Sequence, residues 1–190
     1  MALAALLLAG CTAQQGESAG AARPVMTGLD AGSCAKEIDP GDPNETPYLR
    51  CPGVAGYALI VRNVDAGRQS IDIVNPARQA FPLSYEEFVT RHMFSLDTQA
   101  EWRMLMKDDE QIPVALIVRL HAREDEDDPE RVTRSYFAVA KITSEGACVT
   151  ESIAEGARTG DEVRAAADTA RQRPCAAPLP PMTADGVAIR

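Results

Sequence analysis

Four cysteines, Cys34, Cys51, Cys148 and Cys175, bracket the centre of the chain and constrain it more than any other feature. Zinc usually takes cysteines paired at CxxC-type spacing, or a mixture with histidines. No two of these four are so spaced, and the only histidines are His92 and His121. In an exported chain an even set of this kind reads as a disulfide framework. Four cysteines allow three pairings. The local pair Cys34–Cys51 and Cys148–Cys175 is the expected one, each bond stapling one end of a domain. Loops of that size contribute roughly 3–3.5 kcal/mol each on the chain-entropy account.

The N-terminus says that the chain is exported. "ALLLAGC", residues 5–11, is too short to cross a bilayer, which takes ~20 apolar residues, but it fits the apolar region of a secretory signal. No Lys or Arg precedes Arg23 to supply the usual basic segment. Leu8-Ala9-Gly10-Cys11 resembles the lipobox of bacterial lipoproteins. There, small residues admit the peptidase, and the cysteine becomes the acylated, palmitate-bearing first residue of the mature chain. Thr12, in place of Asp, corresponds to an outer-membrane address facing the periplasm. The expected organisation is a signal peptide over 1–10, a lipidated flexible tether over 11–32, a single domain over 33–175 and a flexible tail over 176–190. The tether is rich in Ala, Gly, Ser and Gln; the tail carries prolines that oppose a packed helix.

Between the cysteine pairs the dominant period is two. In "GYALIVRN", Tyr57, Leu59 and Val61 share one face; in "SIDIV", Ile71 and Ile73 point inward and Ser70 and Asp72 outward. The link between these strands holds Ala66-Gly67, with Gly67 expected to supply a positive φ. "AEWRMLM" sets Trp102, Met104 and Met106 against Glu101 and Arg103, and "PVALIVRLHA" puts Val114, Leu116, Val118 and Leu120 on one side. "RSYFAVAKI" and "ACVTESI" add two more strands about a Ser144-Glu145-Gly146 turn. Two helices are expected. "TGDEVRAAADTARQRP" has Thr159 and Glu162 at capping-box spacing and a stripe of Val163, Ala166, Ala167 and Ala170 ended by Pro174. "LSYEEFVTRHMF" repeats the spacing at Ser84 and Glu87. The expected fold class is α+β: an antiparallel sheet of about six strands, a C-terminal helix packed on one face, and two disulfides.

"CPGVAGYALIVRNVDAGRQS", "AEWRM", "IPVALIVRL", "FAVAKI…GACV" and "AAADTARQRPC" occur in an order that resembles a family of small exported alphaproteobacterial proteins. That pattern is Cys-Pro-Gly then Gly-Tyr, Glu-Trp-Arg, a Pro-x-Ala-x-Ile-x-Arg strand, and an Ala-Asp helix ending at Cys. It spans about Cys34–Cys175. This chain has Asp161 where the pattern has a helix-start asparagine, and an extra residue before Arg68. The resemblance implies the fold and the disulfides and implies no activity.

The formal net charge is −9. An acidic surface repels phosphate backbones, so nucleic acid is not expected as a partner, and acyl chains must hold the membrane without polybasic help. No GxSxG, HExxH or glycine-rich phosphate loop occurs. "AREDEDDPER", residues 122–131, lacks the glycine of a calcium loop and reads as a solvated hairpin loop. No cofactor, metal or catalytic residue is expected. The binding candidates are Glu101, Arg103 and Arg119: alternation places them on one sheet surface, as a locally positive spot able to anchor a carboxylate or phosphate. The expected function is a non-enzymatic envelope lipoprotein that binds another envelope component or plays a structural part. The alternative is an inhibitor of a cationic extracellular hydrolase such as lysozyme, which an acidic, stapled domain suits.

Overall fold

A computed structural model of the chain describes residues 22–180 except 40, 42, 45 and 126. The expected signal peptide, the lipidation site Cys11 and the last ten residues lie outside the described residues. The strands are β1 (Arg23–Gly28), β2 (Ala35–Ile38), β3 (Pro47–Pro52), β4 (Ala58–Asp65), β5 (Arg68–Val74), β6 (Ala80–Pro82), β7 (Met93–Lys107), β8 (Glu110–Arg123), β9 (Arg134–Ile142) and β10 (Ala147–Ala154). One helical turn, α1 (Tyr85–Phe88), precedes β7, and α2 (Gly160–Asp168) follows β10. The sheet therefore has ten strands, in the order β10-β9-β8-β7-β5-β4-β3-β2 with β1 on β7 and β6 on β5. All pairings are antiparallel except one parallel bridge between Arg68 and Phe94, where β5 meets β7.

The four strands beyond the expected six are β1, β2, β3 and β6. They are short, and β1, β3 and β6 carry prolines, so none shows a long alternation. The strand β1 corrects the expected tether over 11–32, because Arg23–Gly28 pairs in register with Gln99–Met104 of β7. The expected flexible tail is also corrected at its start. The Ala176 N–H donates to the Val149 carbonyl, and Arg91 donates to the carbonyls of Leu179 and Pro180.

The central strands bury both faces. On one side Leu59, Val61, Ile71 and Ile73 meet Phe94, Trp102, Met104, Leu116, Val118 and Leu120 in the main core. On the other, Ala115, Ile117, Val139 and Ile153 meet Val163, Ala166, Ala167 and Ala170. The helix stripe is thus the expected one, and Thr159 and Glu162 close a reciprocal capping box. Small alanines let the helix approach closely. Val149 and Ile153 have the same sequence parity yet serve different cores, because a bulge between Val149 and Glu151 turns the strand over.

Other local expectations change for physical reasons. Ser70 and Asp72, expected outward, are buried: the Ser70 hydroxyl accepts the Tyr85 N–H at 3.1 Å, and Asp72 pairs with Arg62. Met106 is exposed, since β7 has run past the core by that point. Gly67 lies outside the left-handed region; an added Cβ would instead crowd the Met93 side chain, 2.8 Å from its Sδ. Ser84 itself takes φ 45° and makes no side-chain cap, so that helix stops after one turn.

The disulfides are Cys34–Cys51 and Cys148–Cys175. The first ties the β1–β2 corner to β3. The second ties the segment after a 3₁₀ turn (Ala170–Gln172) back to β10. The Cys148→Ala/Cys175→Ala double variant is expected to lose roughly 3.5 kcal/mol in urea unfolding. Non-reducing peptide mapping of the native protein should yield these two linked peptides and none joining Cys34 to Cys175.

Candidate functional site

Glu101, Trp102 and Arg103 are consecutive on β7, so the strand pleat sends Trp102 one way and the two charged residues the other. Trp102 is fully buried in the main core, and its indole N–H donates to the Thr27 hydroxyl of β1 at 2.8 Å. Arg103, expected on an open face, is only 4% exposed. The covering element is α2. Its last residue, Asp168, takes a two-pronged bond from the guanidinium, Nε at 2.6 Å and Nη2 at 3.0 Å. Nη1 donates to Glu101 at 3.0 Å, and Nη2 also donates to the Ala22 carbonyl at 2.7 Å. These bonds engage four of the five N–H donors of a guanidinium. Burial alone would favour its neutral form; Asp168 first and then Glu101 outweigh that and raise its pKa.

Glu101 is shared. Arg164 of α2 donates to it at 2.9 Å and also reaches Asp161. The expected positive spot is therefore a network with one carboxylate more than it has arginines, because the helix brings Asp161 and Asp168, along with Arg164, onto the face that holds Arg103 and Glu101. Asp72 and Glu151 pair elsewhere: Asp72 with Arg62, Glu151 with Arg158 and Arg173.

Arg119 shares the helix-bearing face but not the cluster. It pairs with Glu155 and lies over the Phe137 ring, 5.9 Å from its centroid. Glu155 belongs to a second network that the sequence reading missed. His121 and Ser135 are register partners on β8 and β9, and the Ser135 Oγ lies 3.1 Å from His121 Nδ1. His121 Nε2 is 3.7 Å from Asp97, and the Glu155 N–H donates to the Ser135 carbonyl. A serine, a histidine and an aspartate thus stand in line. The signal was present as a lone histidine and a lone serine at strand positions, but only the hairpin register joins them.

For acyl transfer this line lacks a second component. Ser135 is nearly buried within the β8–β9 ladder, and its carbonyl accepts the Glu155 N–H at 2.8 Å. An oxyanion needs free, convergent donors about 3 Å from its position, and ladder N–H groups are already engaged. The arrangement works as a polar ladder along the uncovered part of the helix face: Arg119 meets Glu155 through Nη2, while its buried Nε has no hydrogen-bond partner among the described residues. Among the described residues no group of three or more His, Cys, Asp or Glu side chains is placed to hold a metal ion.

No family model matches the chain, and no curated protein or solved structure matches it. The site must be read from its own geometry.

Arg119, with smaller contributions from Ser135 and His121, holds the Glu155 carboxyl below the usual carboxylate range against the effect of burial. A depressed folded pKa stabilises above the unfolded value, about 4.3 for Glu, and that contribution is lost as pH falls through the folded value. The pair is substantially exposed, with side chains 35% and 45% accessible, so solvent screens most of it. Glu155→Gln should cost under about 1 kcal/mol at pH 7 and less at pH 3, below the unfolded value. Urea unfolding at the two pH values checks both size and sign.

Proposed function

We propose that this chain is a lipid-anchored protein of the bacterial cell envelope, held at the outer membrane facing the periplasm, which acts by binding rather than by turnover. The anchor rests on the lipobox ending at Cys11. One structural observation carries the reading into the fold: the segment that follows Cys11 joins the domain at Ala22, whose carbonyl is gripped by buried Arg103. Ten residues, 12–21, lie between these points, eleven Cα–Cα steps with a reach of at most roughly 40 Å. A lipid leash pulls at that junction. A strand paired along its whole length to β7, and fixed by side chains on both faces, suits a domain loaded there. The resemblance to small exported alphaproteobacterial proteins belongs to the same proposal.

The measurement is intact mass of protein extracted from membranes. The mature chain should begin at an acylated Cys11 and partition into detergent, and Cys11→Ser should remain unacylated. A soluble, unmodified chain that still carries Met1 would contradict the anchor.

One observation favours the hydrolase-inhibitor reading. The loop between β8 and β9 presents exposed Asp127, Asp128, Glu130 and the apolar Val132 beyond the sheet. An acidic tip with an apolar contact complements a cationic cleft. Stoichiometric inhibition of lysozyme, lost in Asp127→Lys/Asp128→Lys, is the expected outcome under that reading. Undiminished lysozyme turnover at excess protein rejects it for that enzyme.

A further inference from the structure

Several turns meet at one end of the sheet and build a cleft of about 400 Å³. The turn before β4 contributes Tyr57, the β7–β8 turn Lys107, Glu110 and Gln111, the β9–β10 turn Ser144, and the 3₁₀ turn Arg171. A second cleft of about 530 Å³ adjoins it, sharing Ser144 and Arg171. These six side chains make no hydrogen bond or ion pair among the described residues. That sets the end apart from the helix face, where Arg103, Arg164 and Arg119 are each ion-paired.

Backbone conformation singles out the same end. Of the five non-glycine residues at positive φ among the described residues, Ala55 (49°), Asp108 (51°) and Asp109 (64°) lie in turns that line the cleft. Arg78 (64°) lies in the turn of Pro76, which also lines it. Asp108 and Asp109 are the two central residues of the Lys107–Glu110 hairpin, where positive φ at both positions is the ordinary tight turn; together the four conformations fix the turns that carry the lining residues.

We propose that this cleft binds a saccharide. A sugar hydroxyl both donates and accepts, and the lining supplies both roles. Lys107 and Arg171 donate, Glu110 accepts, and Gln111 and Ser144 do both. Tyr57, held edge-on against Trp102 with centroids 6.2 Å apart, offers an aromatic surface to the C–H face of a pyranose ring. Lys107 and Glu110 are register partners, so one of the two cations is offset there and the cleft keeps a single excess positive charge. An apolar ligand would leave the lining polar groups desolvated and unpaired. The inference deepens the envelope-binding reading and rests on it for the source of the ligand, a glycan of the cell wall.

The test is calorimetric titration of the full mature chain in detergent micelles with two probes. One is the uncharged tetramer of N-acetylglucosamine; the other is wall glycan strands stripped of peptides. Both should bind, and Arg171→Ala and Gln111→Ala should each weaken binding at least tenfold, with thermal melting confirming that the variants stay folded. No heat from either probe overturns the proposal, as does binding that both variants leave unchanged. An acylated Cys11 with no glycan binding would retire the cleft and leave the anchor standing, so the two failures are distinguishable.

Discussion

The guanidinium of Arg103 is the interaction on which the rest of this structure turns. A buried charge is costly unless it is paired and hydrogen-bonded. Here the partners come from Asp168 on α2, Glu101 on the same strand and the carbonyl of Ala22 at the start of β1. One side chain therefore binds the first described residue and the last residue of α2 to a central strand. The neighbour Trp102 completes the hold from the opposite face by donating to Thr27. Deleting Asp168 would remove the two-pronged partner and leave Glu101, already shared with Arg164, to face the buried charge, a change of the kind that costs several kcal/mol.

That hold explains the division of the molecule into two cores. Strands β7, β8 and β9 lie between them, which is why "PVALIV" is buried almost throughout. A strand covered on one face alternates; one covered on both reads as an apolar run. The helix needs a flat, close seat, and Ala166, Ala167 and Ala170 provide it against Ala115, Ile117 and Val139. The Cys148–Cys175 bond fixes the far side of that seat, while Cys34–Cys51 fixes the corner where β1 leaves β7.

Much of this was legible because the signals are local. The capping box of Thr159 and Glu162, the alanine stripe, the hairpin about Gly146 and the inward Trp102 each follow from spacing within a few residues. The sequential disulfides were favoured for the same reason. What was not legible depends on distant partners. Arg103 and Asp168 lie 65 positions apart, and nothing in the alternation of β7 announces that a helix will cover its polar side. Strand β1 was hidden because "RPVMTG" sits in a stretch whose composition resembles a linker. The Asp97, His121 and Ser135 line exists only through the β7–β8 and β8–β9 pairings, with a register shift between Leu96 and Ala100. Burial of Ser70 and Asp72 follows from pairing of β6 and the seating of α1, neither of which has a long periodic signature.

The two ends of the polar surface thus differ in kind. On the helix face, arginines and carboxylates pair and serve the fold; at the turn end, the six side chains named above face the cleft with no hydrogen bond or ion pair among the described residues. Whether the fold depends on Arg103 as described is tested most directly by a double-mutant cycle of Arg103→Met and Asp168→Leu in urea. Amide exchange of Val25 and Thr27 would be followed in parallel. Arg103→Met should destabilise by about 3–5 kcal/mol, the double variant should recover part of that through a coupling of at least about 1.5 kcal/mol, and protection of β1 should fall more than that of β4. A loss below about 0.5 kcal/mol, within the range of an ordinary surface substitution, with β1 protection unchanged, would contradict the account.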